Sequence, residues 1–179
     1  MASGCTSSTV FNGARAKVNV GFYNIQGNTF EELDRQISLH GPTVGGVGKA
    51  IASTNVRMVP DIRFAQDGDE CRISKSQVRV IAKVTLPRLR NEEAAQRDLK
   101  NAFSNLENYA RLHESVHVSI AENYAQTAEK EIAQLPGRAN CEALGKDAAA
   151  KFKSVMAQHE AAQQRFDQHE KARFAKLND

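Results

Sequence analysis

The chain has 179 residues, a size that suits one domain, or one domain in two closely packed layers. Apolar residues make up 41% and charged residues 25%, which supports a packed core and excludes wholesale disorder, and no apolar run reaches the ~18 residues of a membrane-spanning helix. Aromatics at 6%, the absence of Trp and a net charge of only +3 exclude a base-stacking platform and a phosphate-backbone partner, so no nucleic acid is expected.

Charge and pattern divide the chain near its middle. Residues 1–90 carry 12 basic and 7 acidic side chains, whereas residues 91–179 carry 12 and 14. The first half is β-like with interspersed glycine; the second is rich in Ala, Gln and Glu. Each half alone would be marginal, so the expected organisation is a tether over 1–15 and a single α+β domain over 16–179. Within that domain, 16–90 forms a sheet layer and 91–179 a helical hairpin.

The tether is polar and Gly/Ser-rich. Its Met1-Ala2-Ser3-Gly4-Cys5 stretch, followed by Thr6 and Ser7, looks like the processing site of a bacterial lipoprotein. Cys5 is therefore a candidate for a lipid anchor, although the charged and apolar regions of a signal peptide are missing from this stretch.

Alternation predicts a strand over Val18–Ile25, and Gly27-Asn28-Thr29 turns the chain. Thr29 and Glu32 have the spacing of a capping box, with Phe30, Leu33 and Ile37 following at helical intervals until Gly41-Pro42 stops the helix. Residues 43–50 read as a loop. Ala52–Phe64 is a strand interrupted by Pro60, which suits an edge or a bulge. After the Gln66-Asp67-Gly68-Asp69 turn comes the Val- and Ile-rich run Cys71–Leu86, giving a long antiparallel hairpin that Pro87 ends. From about Glu92 to Leu135 there is neither Pro nor Gly, and helix formers dominate. Pro136-Gly137 breaks that helix, and Asn140 caps a second one reaching about Lys176.

The chemistry sits in the first long helix, at His113-Glu114-Ser115-Val116-His117. The i, i+4 spacing puts two imidazoles on one helical face, where both can bind one Zn²⁺ ion. Glu114, between them, can take a proton from a zinc-bound water. The stripe Phe103, Leu106, Ala110, His113, His117, Ile120, Tyr124, Ala128, Ile132 places both histidines on the buried face. Two neutral histidines hydrogen-bonded in a dry seam would be the alternative, and each would then need partners for its ring nitrogens.

A catalytic zinc commonly has three protein ligands and an open position. If the helices face each other from Gln134 and Cys141 onward, facing residue numbers sum to about 275, and 113–117 lies level with 158–162. His159 falls in that window and on the inward stripe Leu144, Ala148, Phe152, Val155, His159, making it the first choice as third ligand. Glu160 is next, with Asp167 and His169 further along the hairpin.

Cys71 and Cys141 lie one in each half. A disulfide between them would tie the sheet layer to the helical layer and imply an oxidising compartment; two buried free thiols are the alternative.

Taken together, Tyr23-x-Ile25-x-Gly27-x-Thr29, Glu32-Leu33, Gly41-Pro42, Cys71, Leu86-Pro87, His113-Glu114-x-x-His117, Cys141 and Phe166-Asp167 resemble a family of predicted bacterial secreted zinc-dependent proteases, long catalogued as a domain of unknown function. Of these, the zinc motif alone is individually specific. The chain departs from that family in lacking strand-region tryptophans and in its tail, Gln168-His169-Glu170-Lys171-Ala172-Arg173. If that tail supplies a metal ligand in relatives, His169, Asp167 or another group must serve here.

The expectation is thus a zincin-like α+β protein: a small antiparallel sheet with a short helix, packed on a long antiparallel helical hairpin that carries the motif. Its expected function is zinc-dependent peptide-bond hydrolysis, with Glu114 as general base and His113, His117 and His159 on the metal. A peptide or protein is the expected substrate, and the periplasm or the cell exterior the expected location. The rival readings are a non-catalytic zinc-binding envelope protein and a helical interaction module.

Overall fold

A computed structural model of the chain describes residues 15–45, 48–90 and 96–176. Cys5, the rest of the tether up to residue 14 and the expected start of the first long helix at Glu92 lie outside the described residues. The architecture is α+β: a small sheet, a short helix and two long C-terminal helices. No helix among the described residues is long and apolar enough to cross a membrane.

Strand β1 (Ala16–Ile25) alternates as its sequence demands, and helix α1 (Phe30–His40) begins at a working capping box. The Glu32 N–H donates to Thr29 Oγ1 at 3.2 Å, while Glu32 Oε2 accepts from the Asn28 N–H at 2.6 Å. The helix ends where the backbone closes in: a Cβ at Gly41 would collide with the carbonyls of Ala50 and Ile37. Residues 43–50, expected to be loop, instead form a minimal antiparallel pair, β2 (Thr43–Val44) with β3 (Gly48–Lys49). The close return of Ala50, whose N–H donates to Pro42 O at 3.0 Å, brings these short segments into register.

Strands β4 (Ser53–Asp67) and β5 (Glu70–Leu89) form the long hairpin, turned by Gly68 at φ +57°, a conformation that favours glycine. The three-stranded order is β1-β5-β4, so the Val-rich β5 is central and β4, which carries Pro60, is an edge. Pro87 was expected to end β5, yet the strand runs on to Leu89. The Arg90 N–H donates to Ile25 O on the β1 side. By strand alternation Pro87 therefore turns its nitrogen toward the β4 side, and there β4 has not yet begun.

The chain resolves into two compact units, each drawing on strands and helix alike. The first comprises Met1–Arg57 and Ile81–Val118. It holds two apolar clusters. Ile25, Leu33, Ile37, Leu89, Leu99 and Phe103 pack α1 against the start of helix α2 (Arg97–Ala133), and Ala52, Ala82, Val84, Leu86, Ala110 and Val118 pack the next turns of α2 on β5. Tyr23 donates to Ile51 O at 2.7 Å, and burial pushes its phenol up to about 12, which keeps that donor protonated.

The second unit comprises Met58–Val80 and Ser119–Asp179. Ala121, Ala125, Ala128 and Ile132 of α2 and Leu144, Ala148 and Val155 of helix α3 (Cys141–Ala175) are buried here. Small residues let the helices approach closely. Asn140 caps α3, its Oδ1 accepting from the Ala143 N–H at 2.9 Å. The helices face each other antiparallel: Glu131 pairs with Lys151 at 3.2 Å, and the Tyr124 ring meets His159 edge-on. Glu129 reaches to β5, accepting from the Val78 N–H at 2.8 Å.

Cys71 and Cys141 are joined by a disulfide with Cα atoms 5.2 Å apart, beside a two-hydrogen-bond bridge between Cys71 and Arg138. The bond spans 70 positions of sequence and therefore removes a large loop entropy from the unfolded chain. Reduction, or the double substitution Cys71→Ser/Cys141→Ser, is expected to lower the unfolding free energy by about 2–4 kcal/mol. Urea melts of oxidised and reduced protein check this; superimposable curves would refute it.

Candidate metal centre

The motif turn is seated by the first unit's sheet-facing cluster. Ala110 and Val118, one turn before and after Glu114, are both buried in the group that includes Ala82, Val84 and Leu86 of β5. Glu114 lies on the same line of the helix and is only 4% exposed. Ala52 and Ala82 leave room for the helix to come close, and the Thr54 hydroxyl donates to the Glu114 carbonyl at 3.4 Å. Sequence reasoning missed Thr54. It is 60 positions away and belongs to no motif.

This seating corrects the expected orientation of the helix. His113 and His117 are half-buried rather than on the innermost line, which runs through Ala110, Glu114, Val118, Ala121, Ala125 and Ala128. A carboxylate takes the place that apolar periodicity assigned to an imidazole. Leu112 and Val116 occupy the exposed side of the same turns.

The two imidazoles converge. His113 Nε2 and His117 Nε2 are 3.2 Å apart, with ring centroids at 4.9 Å and planes inclined at 73°. Both present the same nitrogen to one point. Two nitrogens each ~2.1 Å from a shared Zn²⁺ would stand about 3.2 Å apart at a near-tetrahedral angle of about 100°. The spacing fits a shared cation, and it equally permits one ring to donate to the other. Tyr109 flanks His113 at a ring separation of 6.0 Å, and Arg111 is paired with Glu107 at 2.7 Å along the helix.

The other sequence candidates all lie on α3, in the second unit. His159 is half-buried, edge-on to Tyr124 at 5.9 Å, and its Nε2 is 2.8 Å from the Gln163 amide nitrogen. Glu160 is exposed and accepts from Gln164 at 3.1 Å. Asp167 and His169 are exposed two to three turns further on. The hairpin register differs from the expected one. Facing residues in this unit sum to 282 for Glu131 with Lys151 and 283 for Tyr124 with His159, not to about 275. The segment after α2 travels on to bridge Cys71 before α3 turns back, which displaces α3 by about two turns. His159 is therefore level with Tyr124.

A geometry in which two imidazoles share a cation makes a direct prediction. The protein is expected to bind about one Zn²⁺ per chain, and His113→Ala and His117→Ala are each expected to weaken binding by about 100-fold or more, beyond the loss typical of an outer-shell partner. Competition against a chromogenic chelator measures this; unchanged affinity in either variant would remove the site.

The histidine pair and the buried carboxylate lie within a recognised sequence family. No curated protein and no solved structure matches the chain, but residues 20–174 match the family described as "Bacterial protein of unknown function (DUF922)". That match covers most of the chain, which therefore belongs to this bacterial family of unknown function.

Proposed function

We propose that the protein is a zinc-dependent peptidase of an exported, oxidising compartment. The observation that carries this reading is the convergence of His113 Nε2 and His117 Nε2 at 3.2 Å with a buried glutamate between them in sequence. Glu114 is buried on the helical turn that carries both imidazoles, the arrangement in which a carboxylate can act as base beside a shared cation. The Cys71–Cys141 disulfide supports the location.

Zn²⁺, when bound, would supply a Lewis acid that polarises the scissile carbonyl and acidifies water. The chain's own groups do the rest. His113 and His117 fix the ion's position relative to the sheet, because their helix turn is seated by Ala110 and Val118. The Glu114 carboxylate takes the proton of the attacking water and returns it to the leaving amine nitrogen. Its burial keeps it oriented.

Two measurements test the proposal. Glu114→Gln is expected to keep stoichiometric zinc while losing about 10²–10⁴-fold in turnover of a peptide library. Equal activity in that variant would sink the mechanism, and zinc binding without turnover in the wild type would leave a non-catalytic zinc protein.

A further inference from the structure

The first unit holds a second concavity that the proposed chemistry does not use. Two adjoining cavities of about 480 and 600 Å³ share Gln26, Gln36 and Arg90, forming one groove along the end of β1 and the outer face of α1. Each is within the size range of small-ligand sites. The groove is polar. Its carboxamides come from Asn24, Gln26, Asn28 and Gln36, and its guanidiniums from Arg35 and Arg90. The rest of the lining is Tyr23, Ile25, Gly27, Leu39 and His40, apart from one acid.

Neither Arg35 nor Arg90 has an ion-pair or hydrogen-bond partner for its guanidinium among the described residues. The single acid in the groove, Glu32, accepts from the Asn28 N–H in the cap of α1. Two unpaired guanidiniums therefore face a cavity whose one carboxylate is already engaged. Guanidinium binds carboxylate or phosphate through two parallel N–H donors. The carboxamides add donors and acceptors in equal number, which suits neighbouring hydroxyl groups, each of them donor and acceptor at once. An acidic peptide would ask instead for apolar side-chain pockets, and apolar atoms are the minor part of this lining.

We propose that this groove binds a carboxylate-bearing oligosaccharide, with Arg35 and Arg90 on the acid group and Gln26 and Gln36 on the ring hydroxyls. This inference is independent of the zinc reading, because it concerns different residues and is read out by binding alone.

The test uses the full chain and titrates trigalacturonate, the neutral trisaccharide cellotriose, hexaglutamate and inorganic phosphate by calorimetry. Trigalacturonate is expected to bind, with cellotriose at least about tenfold weaker for want of the charged hydrogen bonds. Arg35→Gln/Arg90→Gln is expected to cost about tenfold or more, and Gln36→Ala a smaller loss, with unchanged thermal melting showing that the fold survives. The proposal fails if trigalacturonate does not bind or if the arginine variant binds it as the wild type does. Equal affinity for hexaglutamate would make the groove an acidic-peptide site, and complete competition by equimolar phosphate would make it a simple anion site; either result overturns the glycan assignment.

Discussion

The seating of one helical turn on one strand governs the candidate centre. Ala110 and Val118 bury against Ala82, Val84 and Leu86, and this contact fixes the rotation of α2 about its axis. Glu114 lies between them and cannot avoid burial. His113 and His117 both lie to the same side of it in rotation, by about 100° and 60°, so they emerge half-buried with their Nε2 atoms converging. A larger residue at Ala82 or Ala110 would lift or roll the helix and move all three groups together. The site's precision comes from alanine, whose small side chain lets backbone approach backbone, more than from the histidines themselves.

The second unit shows the same economy of small residues. Ala121, Ala125 and Ala128 bring α2 close to its neighbours, and the ion pair Glu131–Lys151 and the Tyr124–His159 contact set the facing register of α3. What offsets that register is the connection. Residues after α2 bridge Cys71 through Arg138, and the disulfide to Cys141 then holds the first residue of α3 on β5. A covalent bond at the helix start thus helps set which α3 side chains stand opposite the α2 turns of this unit.

Local chemistry was legible in the sequence wherever it is local in the fold. Thr29 and Asn140 cap the helices they were expected to cap, Gly41-Pro42 and Pro136-Gly137 end the right elements, and Pro60 falls on an edge strand. Besides the α3 register and the Thr54 contact, three features were not legible, each for a physical reason. The β2–β3 pair depends on the return of Ala50 to Pro42, a contact with no hydrophobic period. The extent of β5 past Pro87 depends on where its neighbour starts. The rotation of α2 was misread because the true innermost line contains a carboxylate, and periodicity counts a glutamate against burial. Removing Glu114 from consideration steered the stripe one residue aside, onto the histidines.

That misreading bears on function. A structural zinc site closes all its coordination positions with protein ligands and has no use for a proton acceptor beside them. A glutamate forced into the dry line of a helix opposes stability, since a buried carboxylate costs several kcal/mol before its compensation. Alanine or leucine at position 114 would complete the apolar line that Ala110, Val118, Ala121 and Ala125 begin. A chain that keeps the acid there gives up part of its packing free energy at the one position between two converging imidazoles. The proposed role of Glu114 as a base would account for an acid at that position, whereas a purely structural cation would make no use of a proton acceptor there.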